Sequence, residues 1–200
     1  MTAPWQPLLE WWFGEAEQPN AVAAQKGELW FGKRDSQDLE ARTRFAALVE
    51  QALAGELTGW TQCPEGWLAQ VLLLDQLPRM IFRDTPKAFS GDLRAQALVA
   101  QGIAADFDRQ LPPIRRVFIY LVFEHCENLA VQNEAVSRFS QLHDQQPPHE
   151  RAVFASNLDY AQRHQQVIAR FGRFPHRNDI LGRASTPEEV AFLAGPGSRF

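Results

Sequence analysis

The segment GWLAQVLLLDQL, residues 66–77, is apolar on nearly every side of a helix and carries a single carboxylate, Asp75. A helix without a polar face has no place on a surface, so it must run through the middle of the fold with other elements packed around it. A carboxylate taken there is costly unless a cation or several donors meet it. The rest of the chain must therefore supply a shell and a partner for Asp75.

The shell reads as helical throughout. Asp35 suits an N-cap, Asp38 and Glu40 follow in the first turn, and Phe45, Leu48, Val49, Ala52 and Leu53 recur at helical spacing before Gly55. The central helix should end at Pro78. Ser90 suits the cap of the next helix, whose stripe is Leu93, Ala97, Ala100, Ile103, Ala104 and Phe107. Pro112 and Pro113 open another, with Ile114, Val117, Phe118, Leu121 and Val122 facing inward. A weaker stripe of Val136, Phe139 and Leu142 predicts a helix over about 129–143. A long helix follows from Pro148 to a stop at Gly172, and Thr186, Pro187 and Glu189 spell a capping box for a short last one. Leu8, Leu9, Trp11, Trp12 and Phe13 suggest a short helix near the start, where exposed tryptophans would favour a homodimer contact. No strand-like alternation competes. The reading is an all-α chain, an antiparallel helix-hairpin array or bundle filling one domain over 1–200, with no visible tetratricopeptide repeat period.

Composition narrows the partners. A chain of 200 residues with 45% hydrophobic and 22% charged residues is an ordinary globular sequence. Its longest strongly apolar runs, VLLL and VFIYLVF, fall far short of the roughly 18 residues that cross a bilayer. The start of the chain does not read as a signal peptide, and two cysteines, Cys63 and Cys126, fit a reducing compartment, so a cytoplasmic location is expected. The net charge of −4 and a pI near 5.7 argue against nucleic acid. The charge is uneven, however: Arg163, Arg170, Arg173, Arg177 and Arg183 face only Asp179 in their stretch of sequence. That suits a small anion better than a duplex.

The segment RFGRFPHRNDILGR, residues 170–183, fits no helix or strand pattern, yet its Phe171, Phe174, Ile180 and Leu181 should anchor it as an ordered loop. Arg170, Arg173 and Arg177 have the planar fork that grips carboxylate or phosphate, and Asn178 adds an amide. Gln76 and Arg79 lie next to Asp75 at the end of the central helix. Acid-base candidates are Asp75, Glu127, His164 and His176, each set against a structural role as a buried ion pair or a hydrogen-bonded core residue. Glu124, His125, Cys126 and Glu127 are metal donors by type only, since neighbours on a helix point apart; no His-Glu-x-x-His or Glu-x-x-His pair occurs, and neither metal nor cofactor is expected. No nucleophile elbow or phosphate-binding glycine loop is present.

Three stretches carry a family resemblance: LLLDQLPRMIFRDTPKAF at 72–89, the region of Glu127 and Gln132, and RFGRFPHRNDILGRASTPEEVAFL at 170–193. On these, the chain resembles the bacterial domain of unknown function 924 family over nearly its full length. The resemblance implies an all-helical, tetratricopeptide-like fold without clear repeats, and it brings no established activity. Cys126 stands where the family usually has serine, and Met80 where it has asparagine. The leading expectation is a protein that binds a small anionic metabolite or a peptide carboxylate. The alternatives are a metal-free enzyme pairing Asp75 or Glu127 with His164 or His176, and a purely structural interaction scaffold.

Overall fold

A computed structural model describes residues 2–198. Its helices are α1 (Gln6–Phe13), α2 (Pro19–Phe31), α3 (Asp35–Ala54), α4 (Pro64–Ile81), α5 (Asp92–Ala104), α6 (Pro113–Glu124), α7 (Leu129–Asp144), α8 (Arg151–Phe171) and α9 (Pro187–Leu193), joined by short 3₁₀ turns. There is no strand among the described residues. Sequence neighbours pack as pairs, α3 on α4, α4 on α5, α6 on α7 and α7 on α8, which is the hairpin array expected from the stripes. Among the described residues no helix is long and apolar enough to cross a membrane.

Two helices are wrapped by the others. α4 is buried at every residue from Gly66 to Pro78, and α6 at every residue from Val117 to Glu124. Each has a buried carboxylate near its C-terminal end, Asp75 on α4 and Glu124 on α6. The negative end of a helix dipole is an unfavourable place for an acid. The pair therefore marks where the fold needs cations or protons.

Several boundaries differ from the sequence reading. α4 runs on through Pro78 for another turn, which leaves the Leu74 carbonyl without its usual donor. Gly91 packs against that carbonyl: a Cβ there would lie 2.1 Å from Leu74 O. That close approach makes Gly91 the N-cap of α5, while Ser90 instead donates to the Lys87 carbonyl. α8 starts at Arg151 rather than at Pro148, and α3 begins on Asp35 itself, with Arg34 as N-cap. α2 has no apolar stripe, with Pro19 and Val22 its buried residues, so periodicity alone does not predict it. The Trp11 and Trp12 rings are buried against Phe45 and Phe118, so they offer no exposed contact face.

The buried side of α5 is also rotated. Leu93 is 82% exposed, whereas Ala95, Leu98, Val99 and Gly102 face inward. Trp67 decides this: its indole donates to the Leu98 carbonyl at 2.9 Å and lies flush on Gly102, where a Cβ would come within 2.1 Å of the ring. The widest apolar stripe loses to one large ring that needs a glycine. Gly102→Ala is thus expected to cost about 2–3 kcal/mol by overpacking. Gly27→Ala, in α2, where an added Cβ meets nothing within 4 Å, should stabilise by about 0.5–1 kcal/mol through helix propensity. Urea unfolding of the two variants measures both, and equal midpoints would refute this packing account.

Candidate functional site

Asp75 is 1% exposed and held by three side chains. His125 Nδ1 lies 2.8 Å and 3.0 Å from its two oxygens, Gln76 Nε2 donates to Oδ2 at 2.6 Å, and Arg79 Nη1 lies 3.3 Å from Oδ1. Burial pushes this carboxyl up, but the Arg79 charge and the hydrogen bonds from His125 and Gln76 outweigh it and keep Asp75 well below the usual range. Arg79 then makes a two-pronged pair with Asp92, the first residue of α5, at 2.9 Å and 3.1 Å. Arg177 completes the group. It donates from Nη1 to the His125 carbonyl at 3.1 Å and reaches Asp92 Oδ2 at 3.6 Å, with its guanidinium between the Phe89 and Phe174 rings at 4.9 Å and 4.4 Å. Burial first, then the Arg79 charge, pull Arg177 down to about 10.

Beneath this lies a second acid-imidazole pair. His164 Nδ1 donates to the Tyr160 carbonyl at 2.9 Å and faces Glu124 Oε1 at 3.0 Å. A carbonyl only accepts, so Nδ1 carries the ring proton. Burial, aided by the Asp75 charge, pushes Glu124 well above the usual carboxyl range, and burial pushes His164 down to about 3. The two carboxyls are driven apart, Asp75 down and Glu124 up, because Asp75 has a guanidinium beside it and Glu124 has none.

The late loop divides into two groups of side chains. Arg177 and His176 turn inward; burial and the Arg177 charge take His176 down to about 3. The others tie the chain together. Arg173 pairs with Glu189 at 2.7 Å and 2.8 Å and donates to the Ala184 carbonyl. Arg170 pairs with Glu188 at the surface and rests on Phe171. Asn178, fully buried, bonds Ser185, Glu189 and Arg183. Glu127 takes the fork of Arg183 at 2.6 Å and 2.9 Å and accepts from the Phe174 N–H at 2.7 Å, which pulls it below its usual value in spite of burial.

The sequence candidates are thus sorted by place. Asp75, Gln76, Arg79 and Arg177 meet in one cluster, His164 lies below it and His176 beside it. Arg170, Arg173, Asn178 and Glu127 belong to the clamp between the late loop, α9 and the end of α6. The candidate set omitted Asp92, Glu124, His125 and Arg183. As adjacent helix positions His125 and Glu124 should point apart, but α6 ends at Glu124, and the chain turns at His125 so that both join the buried group. Cys126 donates its thiol to Gln96 Oε1 at 3.3 Å, with burial holding its pKa up. Among the described residues no group of three or more histidine, cysteine, aspartate or glutamate side chains is arranged to hold a metal ion.

Two stability effects of opposite sign follow. His164 binds its proton more weakly folded than unfolded, so its contribution is present above about pH 6.5 and is lost as pH falls toward 3. Glu124 binds its proton more strongly folded, so its contribution is present below an ordinary carboxyl pKa and is lost as pH rises. Relative to the native chain, His164→Asn should gain stability toward acid pH and Glu124→Gln toward alkaline pH, read from urea midpoints across pH; flat differences would contradict both placements. Separately, Glu127→Gln should cost about 1–2 kcal/mol and speed amide exchange over residues 173–185, since it weakens a charge-assisted fork that is partly screened. Unchanged exchange there would show that the clamp lies elsewhere.

A family model described as "Bacterial protein of unknown function (DUF924)" matches residues 8–197. A solved structure of a protein of unknown function from Agrobacterium tumefaciens is similar at 34% identity and a TM-score of 0.74, over 88% of this chain and 98% of that one. A search of the curated proteins finds no match.

Proposed function

We propose that this chain, which belongs to the DUF924 family of bacterial proteins, is a receptor for a small carboxylate or phosphate, seated on Arg177 beside His125. The observation that carries this reading is the state of Arg177. It is 6% exposed, and among the described residues its Nε is buried with no hydrogen-bond partner, while Nη1 donates to the His125 carbonyl and approaches Asp92. A buried guanidinium left with an unmet donor costs about 1–3 kcal/mol, and a ligand oxygen that accepts from it relieves that cost. The phenyl faces of Phe89 and Phe174 fix its plane, so the fork is set before a ligand arrives.

Charge limits the ligand to a small one. Arg79 and Arg177 are balanced by Asp75 and Asp92, so the cluster has no excess of positive charge, and recognition rests on oriented donors rather than on a general field. Arg170, Arg173 and Arg183 support the structural reading instead, because acids of the chain already fill their forks.

The test is a melting titration with inorganic phosphate and with malonate against chloride at matched ionic strength. A saturable rise is expected, on the order of 2–3 kcal/mol near a hundredfold excess over Kd, and Arg177→Lys should lose it while Arg173→Ala melts lower but keeps it. No rise above the chloride control, or a full response in Arg177→Lys, overturns the proposal.

A further inference from the structure

We infer that His125 is a general base that takes a proton from the anion seated on Arg177, with Asp75 as its positioning residue; this rests on the receptor reading above. Three features of the geometry carry it. Both Asp75 oxygens lie within 3.0 Å of Nδ1, and that carboxylate is itself pinned by Gln76 and Arg79, so Nδ1 carries the ring proton and Nε2 presents a lone pair. Nε2 makes no hydrogen bond among the described residues, and the side chain keeps 16% of its surface. Arg177 donates to the carbonyl of His125 itself, which holds the guanidinium against the residue that carries the imidazole.

The charge count gives the reaction its form. The cluster is close to neutral, so a second uncompensated charge is costly there. Proton transfer leaves the total unchanged: the substrate X–H bond breaks, its electron pair stays on X beside Arg177, and an N–H bond forms at Nε2, giving an imidazolium that faces the Asp75 carboxylate. No oxidant or further reactant is needed. The substrate class is a small carboxylate or phosphate with an acidic hydrogen next to its charged group. The titratable and charged groups around the ring are Asp75 and Arg79 from α4, His164 from α8, and His176 and Arg177 from the late loop. Burial, together with Arg79 and Arg177, outweighs Asp75 and keeps the imidazole neutral and able to accept.

The experiment is carbethoxylation of the full chain with diethyl pyrocarbonate, which attacks neutral imidazole, mapped to individual histidines by mass spectrometry with and without phosphate or malonate. His125 should be labelled at a rate that stays nearly flat from pH 7.5 to 5.5, where a histidine of ordinary pKa slows about tenfold. Phosphate or malonate at ten times the Kd found by melting should slow it about tenfold, leaving exposed His149 unaffected. Asp75→Asn should slow His125 labelling, because an amide permits the other tautomer. If that variant does not fold, the native chain still decides. Absence of label on His125 while His149 reacts overturns the inference. Labelling that stabilising anions do not protect leaves the receptor standing and removes the base from its side; anions that neither stabilise nor protect defeat the receptor reading and the base with it.

Discussion

Asp75 has almost no contact with water, sits at the negative end of a helix that the other helices enclose, and is nonetheless ionised. Most of the polar architecture follows from meeting that charge. Arg79, one turn on, is too short a reach to satisfy it alone and is shared with Asp92. His125 comes to the other side only because α6 stops at Glu124 and the chain turns. Gln132 secures that turn by donating to the Glu124 and Cys126 carbonyls, at 2.6 Å and 2.8 Å. Arg177 then covers the group from the late loop, which is itself fixed by Glu127 and Arg183. A buried charge has thus recruited residues from α4, α5, the end of α6 and the late loop, in keeping with the large penalty for leaving such a group unpaired.

The two central helices offer a contrast within one molecule. Asp75 and Glu124 are equally buried, yet one is pushed down and the other up. The difference is a guanidinium. Asp75 has Arg79 beside it, while Glu124 has only a neutral imidazole and the repulsion of Asp75. Carboxyl groups whose surroundings drive their pKa values apart divide naturally into a charged orienting group and a protonated one. Here the carboxyl pushed down orients the half-open histidine, and the carboxyl pushed up faces the sealed one.

Much of the fold was legible because it rests on local periodicity. The stripe of Val117, Phe118, Leu121 and Val122 and the Thr186–Glu189 capping box each depend on residues a turn apart, and the structure has them in place. What failed depended on contacts distant in sequence. Leu93 belongs to the wider apolar stripe of α5, but Trp67 requires Gly102, and no local pattern shows that. Pro78 reads as a stop, yet Gly91 accommodates the carbonyl it frees. The site was half legible for the same reason. Asp75, Gln76, Arg79 and Arg177 stand out by residue type in unusual surroundings, whereas Asp92 looks like an ordinary first-turn acid and His125 like a core histidine. The crowd of late arginines pointed to a single anion site; most of them instead meet Glu127, Glu188 and Glu189, and only Arg177 turns inward.

The account stands on the protonation pattern of one ring: His125 kept neutral by burial and by the Arg79 and Arg177 charges, with a charged Asp75 fixing its proton on Nδ1. Imidazole nitrogen chemical shifts of the labelled chain near neutral pH report this directly. The account predicts a protonated Nδ1 and a bare Nε2 for His125, with the Nε2 signal moving when phosphate is added. A proton on Nε2, or a doubly protonated ring in the ligand-free protein, would contradict it.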